Sequence, residues 1–187
     1  ARNTADTIYF SELAGYKLGY KLVFLRHWNA YYKKSKFKNW LQNIDPIEVL
    51  DINPNTITKL ITKMTKEPSH KSWLGFPSAF EQICKYLDTT KSPPIEANMT
   101  AIIGMAESLN AYTKQRMEYY FKSPMVSRYS NMENGILAQQ EINETSSFKI
   151  NWASYHIELL SLESDKPVAP GDKGRIVVTD LFNYALP

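Results

Sequence analysis

Met99-Thr100-Ala101-Ile102-Ile103-Gly104-Met105-Ala106-Glu107-Ser108 is the stretch that decides how this chain folds. Met99 to Gly104 is a short, largely apolar run of the length of a buried strand. The small-residue turn after it leads into Leu109 to Phe121, which has the length and composition of a helix carrying Lys114, Arg116 and Glu118 outward. Pro124 follows, and a second short run, Met125-Val126-Ser127-Arg128-Tyr129, reads as the next strand. Strand, helix and strand in this order imply parallel pairing, because a parallel neighbour is reached only through a crossover.

The same alternation extends upstream. Lys21 to Leu25 and Ile47 to Leu50 read as strands, and Trp73-Leu74-Gly75 as a third. Between them, Asn53-Pro54 opens a helix to about Lys66, with Ile57, Leu60, Ile61 and Met64 at helical spacing. Pro77 opens another, whose Phe80, Ile83, Cys84 and Leu87 form one stripe. After Asn134-Gly135 the character changes. Ile136 to Gln140, Phe148 to Ile150, Tyr155 to Leu160 and Gly174 to Thr179 read as strands with no long helix between them. The prediction is an α/β fold: a mostly parallel sheet flanked by helices over residues 1–135, and an antiparallel β extension over 136–187.

Composition narrows the function classes. The 187 residues are 43% hydrophobic and 22% charged, which excludes a disordered or fibrous chain. A net charge of +3 is a weak surplus, so no nucleic-acid partner is expected. No apolar run reaches the roughly 20 residues of a membrane span, and Ala1 to Asp6 shows no signal-peptide pattern. With a single cysteine, Cys84, these features suit a reducing, cytoplasmic setting. Without an initiator Met, the chain reads as a processed or trimmed piece. His27, His70 and His156 share no ligand spacing, and Cys84 falls on an apolar stripe. The run Tyr31-Tyr32-Lys33-Lys34-Ser35-Lys36-Phe37-Lys38 is compatible with phosphate contact but more often marks a solvated helix face.

Two segments put polar groups at the C-terminal end of a strand, where open α/β sheets bind ligands. In Gly104-Met105-Ala106-Glu107-Ser108 a small-residue turn lets backbone approach a flat ligand, and Glu107 or Ser108 can cap the following helix. In Ser127-Arg128-Tyr129-Ser130-Asn131-Met132-Glu133 an aromatic ring can stack on a base, and a carboxylate four residues on can reach magnesium. Chemistry alone leaves this reading level with its alternative, in which both segments are capped turns, Tyr129 fills the core and Glu133 is solvated.

The segment Ser127 to Gly135 resembles the Tyr-Gly-x-Thr-Glu core motif of the adenylate-forming (acyl- and aryl-CoA ligase) superfamily. Gly104-Met105-Ala106-Glu107 resembles the Gly-x-x-Glu turn before it, and Gly75-Phe76-Pro77-Ser78 the Gly-x-Pro-Ser turn near the acyl pocket. Pro167 to Leu181, then Asn183 and Pro187, is similar to the phenylacetate–CoA ligase branch. Within it, Ser-Arg-Tyr-Ser-Asn and Glu-Asn-Gly at 127–135 resemble adenylate-forming proteins of capsular polysaccharide biosynthesis.

The resemblance implies ATP-dependent activation of a small-molecule carboxylic acid as an acyl-adenylate, with CoA as one acceptor. Ala106, Glu107 and Ser108 would line the adenine and ribose, and Tyr129 would stack on the adenine. Ser127, Arg128 and Ser130 would sit by the acyl carboxylate or α-phosphate. Glu133 would bind magnesium, and Gly75, Phe76 and Pro77 would flank the acyl group. No residue is assigned as catalytic. Ser130 stands in place of the usual Gly, and Met132 in place of a Thr or Ser. The Ser/Thr/Gly-rich phosphate loop, the ribose-binding Gly-Asp and the lid domain have no counterpart in the 187 residues. The expectation is therefore a central piece of a larger ligase, inactive alone. A non-catalytic nucleotide- or partner-binding scaffold is the alternative, and a nucleic-acid-binding protein a third reading.

Overall fold

The computed structural model describes residues 2–28, 35–144 and 146–185. Tyr31, Tyr32, Lys33 and Lys34 of the lysine–aromatic run, and Pro187 of the C-terminal resemblance, lie outside the described residues.

The elements in chain order are α1 (Arg2–Leu13), β1 (Lys21–Arg26), α2 (Lys36–Leu41), β2 (Ile44–Glu48), α3 (Pro54–Lys66), β3 (Lys71–Gly75), α4 (Pro77–Thr89), β4 (Met99–Met105), α5 (Ala111–Phe121), β5 (Met125–Asn131), β6 (Gly135–Gln139), β7 (Lys149–Ile150), β8 (Tyr155–Leu160) and β9 (Arg175–Asp180). Seven strands form one sheet in the order β2-β1-β3-β4-β5-β6-β7. Every pair from β2 to β5 is parallel, and β6 and β7 add antiparallel. β8 and β9 form a separate antiparallel ribbon. The fold is thus the α/β class predicted, with the antiparallel extension beginning in the main sheet.

Local chemistry explains where the helices start. Asn53 caps α3 by accepting from the amides of Asn55 and Thr56, while the Thr56 hydroxyl accepts from the Asn53 amide. Pro54 and Pro77 each occupy the first turn, where a missing N–H costs nothing. α3, α4 and α5 pack on one face of the sheet through Ile57, Leu60, Met64, Phe80, Ile83, Leu87 and Met117. Trp73 of β3 is fully buried between Phe80 and Phe121, the latter edge-on at 4.9 Å. Cys84 joins this core, and burial pushes its thiol up to about 12, which leaves it unreactive.

Three sequence expectations need correction. The second strand spans Ile44–Glu48 rather than 47–50, and Val49–Asp51 is a 3-10 turn. The strand crosses Pro46, which is tolerated because β2 is the edge of the sheet. Helix α5 begins at Ala111 rather than Leu109. Its charged residues are also half-buried rather than turned to solvent. Arg116 pairs with Asp88, the Lys114 ammonium donates to the Met125 carbonyl, and Glu118 accepts from the Met125 amide at 3.0 Å.

The sequence reading also missed α1, because its anchors are polar rather than apolar. Arg2 pairs with Asp180 of β9, and its guanidinium lies over the rings of Tyr155 and Phe182, each 5.2 Å away. Ser154 donates to Asp6 at 2.8 Å, and the Gln139 amide donates to the Phe10 carbonyl at 2.6 Å. α1 therefore clamps the β8–β9 ribbon to the main sheet.

Arg2 holds the Asp180 carboxyl down to about 2, below the 3.8 of a free aspartate. A depressed carboxyl contributes stability that is present above its unfolded value and is lost as pH falls through its folded one. The clamp should be fully in place above about pH 4 and released between there and pH 2. Asp180→Asn should cost about 1–2 kcal/mol at neutral pH and flatten the acid limb of unfolding followed by circular dichroism. An acid limb identical to the parent's would refute this role for the pair.

Candidate functional site

Two strand–helix turns meet at the C-terminal edge of the parallel sheet. β4 and β5 run side by side, with Gly104 opposite Ser127 and Met105 opposite Arg128. Beyond the paired ends lies a cavity of about 530 Å³ lined by Ala106, Glu107, Ser108, Leu109, Ser127, Arg128, Tyr129, Ser130, Gln140 and Phe148. All seven residues predicted for the nucleotide are among them. The volume lies within the range of small-molecule sites.

Glu107 does not cap the helix that follows it. Asn110 does, accepting from the Thr113 amide at 2.8 Å. The Glu107 carboxylate instead accepts from the backbone amide of Ser78 at 2.8 Å and from its hydroxyl at 3.0 Å. Helix α4 needs this, because its N-cap residue, Phe76, has no side-chain acceptor. A carboxylate there satisfies an orphan N–H and faces the positive end of the helix dipole. Glu107 thus ties the Gly75–Ser78 turn to the Gly104–Ser108 turn. Two tight features support the tie. A Cβ on Gly104 would stand 3.2 Å from the Pro77 ring, so glycine permits the close approach. Ala106 holds a left-handed φ of +65°, a mildly strained conformation for a residue with a side chain.

Gly75, Phe76 and Pro77 sit beside this tie but line neither of the cavities that meet at Tyr129. They are packed instead: a Cβ on Gly75 would stand 2.8 Å from Leu25 Cβ. They do fall where the strand order reverses, between β1 and β3, the position at which open α/β sheets bind ligands.

Tyr129 is half exposed, at 49%, and borders two spaces. On one side is the polar cavity. On the other is an apolar cleft of about 650 Å³ between β6–β7 and the β8–β9 ribbon, lined among others by Ala138, Ile150, Trp152, Leu159 and Ile176. Phe148 also borders both. The sequence reading did not mark Phe148 or Gln140. Gln140 locks the floor of the polar cavity, its side-chain oxygen accepting from the Ser127 amide at 3.0 Å while its backbone N–H donates to the Ser127 carbonyl at 2.9 Å.

Arg128 borders the cavity, but its guanidinium is committed elsewhere. It is buried beneath α1, donating to Gln139 at 2.8 Å and to Ser11 at 3.1 Å. Burial without a carboxylate partner lowers it to about 10. Glu133 is exposed in the β5–β6 hairpin turn, where Asn131 accepts from the Asn134 amide. Among the described residues, no three His, Cys, Asp or Glu side chains converge as a metal site. His27 lies against Glu48 at 3.2 Å, His70 against the Tyr20 ring and His156 near Trp152, all apart from one another.

No family model matches the sequence, and no curated protein sequence matches it. Solved structures do match its fold. A 2-hydroxyisobutyryl-CoA ligase in complex with 2-HIB-AMP and CoA superposes with a TM-score of 0.71 at 13% identity, covering 95% of this chain and 40% of that one. MatB from Rhodopseudomonas palustris gives 0.61 at 14% identity, covering 95% and 35%. A long-chain-fatty-acid-CoA ligase from Archaeoglobus fulgidus gives 0.64 at 11%, covering 95% and 38%. The chain therefore shares its fold with part of these solved structures, two of them CoA ligases by name, and spans about two fifths or less of their length.

If Glu107 is the surrogate cap of α4, Glu107→Ala should cost about 1 kcal/mol and lower the melting temperature by roughly 2–4 °C. Glu107→Gln, which keeps one acceptor, should recover part of the loss. Equal melting temperatures for the parent and the alanine variant in calorimetry would rule out the cap.

Proposed function

We propose that this chain binds the adenylate half of an activated carboxylic acid, as part of an ATP-dependent acid–CoA ligase. The observation that carries the reading is the polar cavity at the ends of β4 and β5, which gathers Ala106, Glu107, Ser108, Ser127, Arg128, Tyr129 and Ser130 around one half-exposed aromatic ring. Shared fold with CoA ligases, one of them bound to an acyl-AMP, supports it.

In this reading the Tyr129 ring stacks on adenine, and the Ala106–Ser108 backbone approaches its edge. The acyl group extends into the apolar cleft beyond Tyr129, while Gly75, Phe76 and Pro77 set the start of α4, which the Ser78–Glu107 contact ties to the Ala106–Ser108 turn. Glu133, exposed in the β5–β6 turn, would offer a carboxylate to a magnesium ion carried by ATP. The metal would offset phosphate charge, and the chain's own residues would position the two reacting partners. The finer assignment, to the phenylacetate–CoA ligase-like branch and to capsular polysaccharide biosynthesis, rests on the motif resemblance at 127–135 and 167–183, and the cytoplasmic setting on the single Cys84.

A second reading is a nucleotide-binding scaffold without turnover. Arg128 favours it. It is the only cation lining the polar cavity among the described residues, and its guanidinium is held by Gln139 and Ser11 instead of facing a phosphate. Binding without ATP–pyrophosphate exchange is expected of this polypeptide by itself.

Titration calorimetry with AMP tests the site. Tyr129→Ala should weaken AMP binding by about tenfold, the worth of one base–aromatic stack, with the melting temperature unchanged. Glu133→Gln should reduce the magnesium dependence of ATP binding and leave AMP binding intact. Parent-like AMP affinity in the Tyr129 variant would overturn the assignment.

A further inference from the structure

The lysine–aromatic run is not used by the site described above, and part of it is well placed for another task. Helix α2 (Lys36–Leu41) has no buried residue. Its large apolar side chains, Phe37, Trp40 and Leu41, are 68%, 74% and 68% exposed. They occupy positions i, i+3 and i+4, so they share one helix face. The Phe37 and Trp40 rings confirm this, lying 6.0 Å apart at 31°. Scattered apolar residues on a surface need no explanation, but three on one turn of helix do. Lys36 and Lys38 flank them, both exposed.

The surrounding sequence is strongly biased. Residues 13–44 carry seven of the chain's 22 Lys and Arg and none of its 19 Asp and Glu. The rest of the chain is net negative, so the weak overall charge hides a local cationic segment.

We propose that α2 is a docking element for an anionic lipid surface, with Phe37, Trp40 and Leu41 entering the headgroup region and the lysines pairing with lipid phosphates. Aromatic and leucine side chains beside lysines are the combination that binds such surfaces, through buried apolar area and attraction to anionic lipid together. Two other occupants fit less well. Single-stranded nucleic acid would use basic and aromatic groups, but the two rings already lie against each other, and Leu41 offers no face for a base. A second copy paired symmetrically through α2 would bring Lys36 and Lys38 of both copies together.

The experiment is co-sedimentation of the 187-residue chain with vesicles of phosphatidylcholine alone and of phosphatidylcholine containing phosphatidylglycerol. Binding to the mixed vesicles only, weakening as salt is raised, is the expected result. The triple variant Phe37→Ser, Trp40→Ser, Leu41→Ser should bind about tenfold less or more weakly still, and Lys36→Glu with Lys38→Glu should also weaken binding. Because α2 buries nothing, both variants should melt with the parent, and circular dichroism checks this. Failure to bind mixed vesicles, or undiminished binding by the triple variant, would overturn the proposal. So would tighter binding to a single-stranded oligonucleotide than to vesicles, or a dimer that the triple variant abolishes. AMP binding is read separately, so either proposal can fail without the other.

Discussion

A single carboxylate ties the turn that lines the candidate site to the start of the neighbouring helix. Glu107 leaves the end of β4, crosses to the β3–α4 turn and satisfies the exposed amide of Ser78. Helix α4 would otherwise start at Phe76 with no side-chain cap. Beside it, Gly104 permits the close packing of Pro77, whose ring a β-carbon would meet at 3.2 Å. One hydrogen-bonded pair therefore links the start of α4 to the Ala106–Ser108 turn that lines the cavity beyond β4 and β5. It is a structural role for a residue whose position next to that cavity would also suit a ligand contact.

The second organising element is polar and long-range. Helix α1 joins the chain's N-terminal segment to the C-terminal ribbon through Arg2 with Asp180 and Asp6 with Ser154, and to the site strand through Ser11 with Arg128. The first two are part-buried and the last is buried, and such contacts stabilise when every partner is satisfied, because a lower local dielectric strengthens each bond. Arg128 shows the cost. Among the described residues its guanidinium donates to an amide oxygen and a hydroxyl, and burial lowers it to about 10. The geometry that locks it under α1 also withdraws its guanidinium from the nucleotide cavity, while the next residue, Tyr129, remains half exposed as the wall between polar and apolar spaces. Alternation along one strand thus divides two adjacent residues between structure and site.

Much of this was legible in the residues themselves. Periodicity and proline placement located α3, α4, β4 and β5, and the shift to helix-free strands after Gly135 located the antiparallel end. These signals are local: the period of the side chains, the missing amide of proline and the small size of glycine act within a few residues of where they are read. Recurring polar groups at two strand ends also marked the segments that line the cavity.

Tertiary structure decided what depends on distant partners. It made α1 a helix, although its contacts lie on β5, β6, β8 and β9 and on the loop before β8, more than 100 residues away. It sent Glu107 to the neighbouring helix instead of its own, and Arg128 inward instead of toward a phosphate. It also brought Gln140 and Phe148 to a cavity whose other walls lie earlier in the sequence. Local propensity chooses the elements, because each residue feels its neighbours in sequence. The direction of a charged side chain follows the best-satisfied partner in space, and that partner exists only once the sheet has formed.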